Sequence, residues 1–376
     1  MLRLLLMRLT KGVEDPQKMH RQQAGPEHSL PTPLLLHGAP GSPYTRKMLA
    51  LLRYRGIGYR LIVNPAAWPT SLPEPKVRLL PTFYLPGPTG DLEAVVDSTP
   101  LLRRFERQLP GRAALPEDPV LAFVDALIED YADEWLTKAM FHYRWAYRPD
   151  IEKAAAILPR WRGITAGEET IARLSEEFAE RQISRLWVVG SNATTAPVIE
   201  ASYRRFLEIF DALLQQQPFL LGARPAACDF AAYGQLSQLA KFDPTPMALT
   251  LEVAPRVFAW CDLVDDLSGL ELAPAAEESD RDGWLQRSAL RPRLGPLLAE
   301  IGRVYAPFLI ANAAALDSGA EQVETTIDAR PWVQKPFPYQ GKCLVWLRES
   351  YATLDGADRE AVDALLEGTG CEALFA

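Results

Sequence analysis

Gly41-Ser42-Pro43-Tyr44-Thr45-Arg46-Lys47 decides how this chain folds. An apolar run, Leu34-Leu35-Leu36, precedes it. Tyr44, Met48, Leu51 and Leu52 follow at i, i+4, i+7 and i+8, the spacing of one helix face. Ser42 reads as the N-cap and Pro43 as the first helical residue, where a missing N–H costs nothing. The stretch is predicted to stop a buried strand and open a helix that presents a hydroxyl and unpaired backbone N–H groups. Such a tip favours an anion: a thiolate, a phosphate or a carboxylate. Ser-Pro also caps helices that bind nothing, so the rest of the chain must decide between the two readings.

Working outward, residues 34–38 read as a strand, the helix ends near Gly56, and residues 59–63 form a second strand, giving a βαβ unit with a parallel pair. A Pro-rich link follows (Pro65, Pro69, Pro73, Pro75). Residues 80–85 and 92–96 flank a Gly/Pro turn and read as an antiparallel hairpin. Asp97-Ser98-Thr99-Pro100 caps a helix over 101–109, and Pro110-Gly111 breaks the chain. The order βαβ, link, ββα predicts a mixed sheet with helices on its faces.

This order, with Gly41-Ser42-Pro43-Tyr44, Leu80-Pro81-Thr82 and Asp97-Ser98 in sequence, resembles the thioredoxin-like N-terminal domain of the glutathione transferases. The resemblance implies an α/β thioredoxin-like domain over 33–112, an all-α domain over 113–270 and, past the family's usual end, a helical extension over 271–376. It implies a cis peptide before Pro81, Leu80 backbone groups pairing with the cysteinyl part of glutathione, and Asp97-Ser98 holding the γ-glutamyl end. Read from the residues alone, Pro81 could start a strand in trans and Asp97-Ser98 could be a plain cap.

Residues 118–147 read as one long amphipathic helix that is aromatic at its far end. Residues 168–189 and 199–214 read as two more helices. The stretch Asp229-Phe230-Ala231-Ala232-Tyr233-Gly234 is similar to the signature of the family's helical domain. Its cap position, however, is Ala226, which loses half of a reciprocal capping pair at a cost of about 1 kcal/mol. Tyr131 and Trp135, i and i+4, are the candidate wall of an acceptor pocket, with Ala39 and His37 at its mouth; core packing is the competing reading.

In the extension, residues 275–282 read as an acidic linker. Residues 294–308, 342–354 and 358–366 read as helices, the first kinked at Pro307. The aromatic, Pro-rich stretch from Trp332 to Gln340 reads as a strap over apolar surface rather than a lid. Cys343 reads as a buried thiol, with a reactive one beside Lys342 as the alternative.

The chain has 376 residues, 48% hydrophobic and 23% charged, which suits two or three globular domains. No apolar run nears the roughly 18 residues of a membrane span, so no membrane partner is expected. Residues 1–32 read as a disordered leader. Four cysteines without a CxxC pair suit a reducing, cytoplasmic setting, and four histidines show no metal-ligand spacing with them, so no metal is expected. Residues 1–115 carry 16 Lys and Arg against 8 Asp and Glu, which suits a small anionic ligand. There is no basic stripe interleaved with aromatics, and no nucleic-acid partner is expected.

Taken together, these features predict a glutathione-dependent transferase. Ser42 would donate a hydrogen bond to the glutathione sulfur and the helix tip would favour thiolate, with Tyr44 and Thr45 as backup donors. The thiolate would attack a small apolar electrophile. Serine where redox relatives carry cysteine argues against disulfide exchange. The resemblance also implies a homodimer, which the extra helices could block or replace. Two other readings stay open: a non-catalytic ligand-binding or protein-interaction module, and glutathione-dependent dehalogenase, isomerase or ether-cleaving chemistry.

Overall fold

The computed structural model describes residues 30–64, 72–271 and 279–376. Strand β1 (Leu34–His37), helix α1 (Pro43–Arg55) and strand β2 (Tyr59–Ile62) are followed by β3 (Thr82–Pro86), β4 (Leu92–Val95) and helix α2 (Ser98–Gln108). The sheet order is β2-β1-β3-β4; β1 runs parallel to β2 and the other pairings are antiparallel. Leu34, Leu36, Phe83 and Leu85 from the sheet share one core with Met48 and Leu52 of α1 and Leu102 and Phe105 of α2. This is the thioredoxin-like mixed sheet.

Helix α1 starts and stops for local reasons. Ser42 is extended and its Oγ accepts from the Thr45 N–H at 3.2 Å, while Gly56 closes the helix at φ 70°, where a Cβ would be strained. The Leu80–Pro81 peptide is cis, as is Thr32–Pro33. Asp97 precedes α2 at φ 84°, a backbone that a plain cap, ordinarily extended, does not adopt. A left-handed aspartate costs on the order of 1–3 kcal/mol and is a mark of functional loops.

The helical part comprises α3 (Pro119–Glu134), α4 (Leu136–Ala146), α5 (Arg148–Arg162), α6 (Glu168–Ile183), a 3₁₀ turn (Leu186–Val189), α7 (Ala196–Leu214), α8 (Ala227–Leu239), α9 (Pro244–Val253) and α10 (Pro255–Asp265). Two expected single helices are broken. The one over 118–147 divides at Trp135, and the one over 168–189 ends at Ile183 before the 3₁₀ turn. Helix α8 is buried along its whole length, which hides any amphipathic pattern. Its cap lacks the Ala226 half, as expected, but Asp229 extends its own: Oδ2 accepts from the Ala226 N–H at 2.9 Å and Oδ1 from the Leu220 N–H at 2.8 Å. Gly234 on α8 faces α1, where a Cβ would lie 2.6 Å from the Pro43 carbonyl oxygen and 3.1 Å from the Lys47 Cβ. Only glycine lets these two helices approach so closely.

The extension contains α11 (Arg287–Ser318), a hairpin of β5 (Val323–Ile327) and β6 (Arg330–Gln334), α12 (Pro338–Ala352), α13 (Gly356–Leu366) and a 3₁₀ turn (Cys371–Leu374). Contrary to the expectation from apolar runs, α11 is long and apolar enough, by length and composition alone, to cross a membrane. Here it is the spine of the extension: 56% of its apolar window is buried, and its Glu300 pairs with Arg205 at 2.7 Å. The helix continues through Pro292, Pro296 and Pro307. Trp332 on β6 is fully buried against Trp135 and Phe308, so this end of the 332–340 stretch is a strap over core. Residues 1–29 of the expected leader, the Pro65–Pro69 part of the link and residues 275–278 of the acidic linker lie outside the described residues.

Candidate active site

The Ser42 hydroxyl is half-buried at the start of α1. It accepts from the Thr45 N–H and donates to the Leu80 carbonyl at 3.2 Å. The helix cap and the peptide before cis-Pro81 therefore face each other, 38 residues apart in sequence. Leu80 is half-buried and Pro81 buried.

The two backup donors have other partners. The Tyr44 hydroxyl donates to the Asp133 backbone carbonyl at 2.9 Å. Thr45 is buried, with its hydroxyl receiving the Ala39 N–H at 3.4 Å. Tyr44 thus reaches toward α3, while Thr45 holds the loop that leads into Ser42. Ala39 is half-buried, as is His37, whose imidazole pKa is lowered by burial and then by the Arg162 charge.

Asp97 and Ser98 stand at the start of α2, and Ser98 is buried. Burial raises the Asp97 carboxyl to about 6, against the pull of a hydrogen bond from Tyr339 and the charge of Lys47. The Tyr339 hydroxyl, from α12, donates to Asp97 Oδ2 at 3.0 Å. Below this point Lys47 is fully buried and its ammonium donates to Glu129 at 2.7 Å, to Asp133, and to the Thr99 hydroxyl at 3.2 Å; Arg103 pairs with Glu129 at 3.0 Å. Burial favours the neutral form of both acids. Glu129, facing Lys47 and Arg103, is nevertheless held well down, whereas for Asp133 burial wins and its pKa is raised. The cluster ties α1, α2 and α3 together directly under the Asp97-Ser98 turn.

Tyr131 and Trp135 are not pocket walls. Both are fully buried: Tyr131 packs on Phe206 and Tyr305, and Trp135 on Tyr305, Phe308 and Trp332, with its indole N–H donating to Ser202 at 3.0 Å. The extension fills the space they would have lined. Helix α5 stands beside the Ser42 loop instead. A Cβ on Gly41 would collide with Leu158 and lie 3.0 Å from the Trp161 ring, and both side chains are half-buried. Arg144 fixes that loop by donating to the Gly41 carbonyl at 3.1 Å, itself held by Asp243 at 2.9 Å and Gln238 at 2.8 Å. Cys343 is buried, and burial, followed by the neighbouring Asp130 and Glu134, raises its thiol pKa well up; the reactive-thiol reading is excluded. Among the described residues no His, Cys, Asp and Glu group is placed to hold a metal.

A capped helix facing a cis-proline carbonyl on a βαβ-ββα sheet, joined to a helical domain, defines a thioredoxin-like protein of the two-domain transferase type. Residues 36–113 match the family model of the glutathione S-transferase N-terminal domain, and residues 162–263 that of the C-terminal domain. The chain carries both domains of the glutathione S-transferase family, with additional C-terminal helices. No curated protein matches it in sequence. Solved structures similar to it include a GST-like protein from Pseudomonas syringae (19% identity, TM-score 0.38, covering 67% of this chain and 80% of that one). Another is a glutathione transferase family member from Pseudomonas fluorescens with two glutathione bound (15%, 0.33, 65% and 91%). A third is a maleylacetoacetate isomerase from Anaeromyxobacter dehalogenans with bound GSH (17%, 0.31, 64% and 98%).

Proposed function

We propose that this chain is a cytoplasmic glutathione-dependent transferase in which Ser42 stabilises the thiolate of bound glutathione for attack on a small apolar electrophile. The observation that carries the reading is the half-buried Ser42 hydroxyl at the α1 tip, facing the Leu80 carbonyl before cis-Pro81. When the ligand's cysteinyl N–H takes the Leu80 carbonyl, the Ser42 O–H is released to donate to the sulfur. The Thr45 N–H continues to polarise that hydroxyl. A hydrogen bond to a charged group is worth roughly 1.5–3 kcal/mol, which lowers a thiol near 8.5 by about one to two pKa units. Serine is not the nucleophile: the attacking electron pair is on the ligand's sulfur, and the leaving group departs from the electrophile. Leu158 and Trp161 of α5 give the apolar wall beside the Ser42 loop.

The test is Ser42→Ala. The thiolate absorbance of bound glutathione should titrate about one to two pH units higher, and kcat should fall with glutathione affinity nearly unchanged. An unchanged titration refutes the role. A second reading, a ligand carrier without turnover, draws on the Ser42 hydroxyl being fully paired within the protein. Retention on immobilised glutathione without turnover of any electrophile in a broad panel, including isomerase and ether substrates, would favour it.

A further inference from the structure

We propose that helix α12, which lies beyond both family domains, completes the ligand site: Tyr339 positions Asp97, and Lys342 is the cationic contact for the free α-carboxylate of a γ-glutamyl ligand. This rests on the glutathione reading above.

The start of α12 is fixed from two sides. Asn312 of α11 brackets Phe337, accepting its N–H at 2.8 Å and donating to its carbonyl at 3.1 Å. Gln340 donates to the Glu134 carboxylate of α3 at 3.0 Å. Held this way, Tyr339 reaches across 242 residues of sequence to the Asp97 carboxylate, the residue with the left-handed backbone. Lys342 follows three residues on, so it shares a helix face with Tyr339. Its ammonium is within electrostatic reach of Asp97, it is half-buried, and it makes no hydrogen bond or ion pair with any described residue. With no protein partner, that ammonium is open to the carboxylate of a ligand, and a charge-assisted pair is the strong kind of contact it can make.

The pairing of charges selects the ligand class. A free amino-acid head carries an ammonium and a carboxylate on one carbon. Asp97 matches the first, and Lys342 with the Ser98 hydroxyl matches the second. A plain anion or a plain amine satisfies only one of the two. The charged and titratable groups facing Asp97 are Lys47 from α1, Asp133 from α3, and Tyr339, Lys342 and the buried, neutral Cys343 thiol from α12.

The experiment is calorimetry on the full chain with two peptides: glutathione, and its analogue lacking the γ-glutamyl α-carboxylate (4-aminobutanoyl-cysteinylglycine). Lys342→Met should weaken glutathione binding by about 10- to 100-fold and leave the analogue nearly unchanged, while Lys342→Arg keeps most of the affinity. Tyr339→Phe should move upward the pH below which glutathione binding is lost, a readout that a purely structural tyrosine would not move. If the wild type binds glutathione but Lys342→Met weakens both peptides alike, or neither, the role of α12 is refuted and the glutathione reading stands. If the wild type binds neither peptide, the glutathione reading falls and this inference falls with it.

Discussion

Replacing Lys47 with methionine tests the charge cluster that joins the thioredoxin-like and helical parts beneath the site. Methionine keeps the apolar stem and removes an ammonium that donates to Glu129, Asp133 and Thr99 with no exposure to water. Removing one partner of a buried ion pair costs about 3–5 kcal/mol. Arg103 still neutralises Glu129, and Asp133 is already pushed toward protonation, which places the cost near the low end, about 3 kcal/mol. With an unfolding entropy of roughly 2.1 cal/mol/K per residue over 376 residues, the melting temperature should fall by about 4 °C. The pH dependence is the sharper check. In the wild type the depressed Glu129 contributes stability that is present above its unfolded pKa and lost as pH falls through the folded one. In the variant Glu129 keeps Arg103, while Asp133 loses its cation and is pushed further up, so the folded state takes up that proton first and recovers stability as pH falls. The gap between variant and wild type should therefore be full at pH 7.5 and narrow toward pH 5. Urea unfolding at both pH values measures it. A gap below about 1 kcal/mol at pH 7.5, or one that widens on acidification, would refute the reasoning.

Three further outcomes are expected. Glutathione affinity should weaken as pH falls through about 6, because Asp97 must be ionised to hold an ammonium; Asp97→Asn should bind weakly and without that pH dependence, as followed by calorimetry. Trp332→Ala should cost about 3–5 kcal/mol in denaturant unfolding, since the indole fills the space between Trp135 and Phe308. Gly234→Ala should cost about 1–3 kcal/mol and speed hydrogen exchange in α1, because its Cβ would press on the Pro43 carbonyl.

Where the governing forces are local, the sequence was readable. Ser42-Pro43 and Gly56 mark both ends of α1 by capping and left-handed turn chemistry, and the Gly/Pro turn gives away the β3–β4 hairpin. The cis peptide at Pro81 and the place of Asp97 came through the family resemblance, because nothing adjacent in sequence specifies them. Helical spacing showed that Tyr131 and Trp135 share a face but not what covers it, and the cover comes from Tyr305, Phe308 and Trp332, about 170 to 200 residues later. Leu158 and Trp161 gave no signal of their own, since half-buried apolar residues occur on most helices. The β5–β6 hairpin turns through Asp328 and Ala329, both at positive φ without a glycine to announce it; the alternation in Val-Glu-Thr-Thr-Ile was the available sign. The Tyr339–Asp97 bond joins residues 242 apart and has no local signature.

All four sulfhydryl groups, at Cys228, Cys261, Cys343 and Cys371, are enclosed, and burial pushes each one's pKa upward. Folded, the protein should leave a colorimetric disulfide reagent such as Ellman's unreacted; unfolded, it should consume four equivalents. An assay mixture of enzyme, tripeptide and electrophile then needs no correction for self-alkylation. The slow appearance of colour in reagent alone becomes a direct clock for opening of the native state.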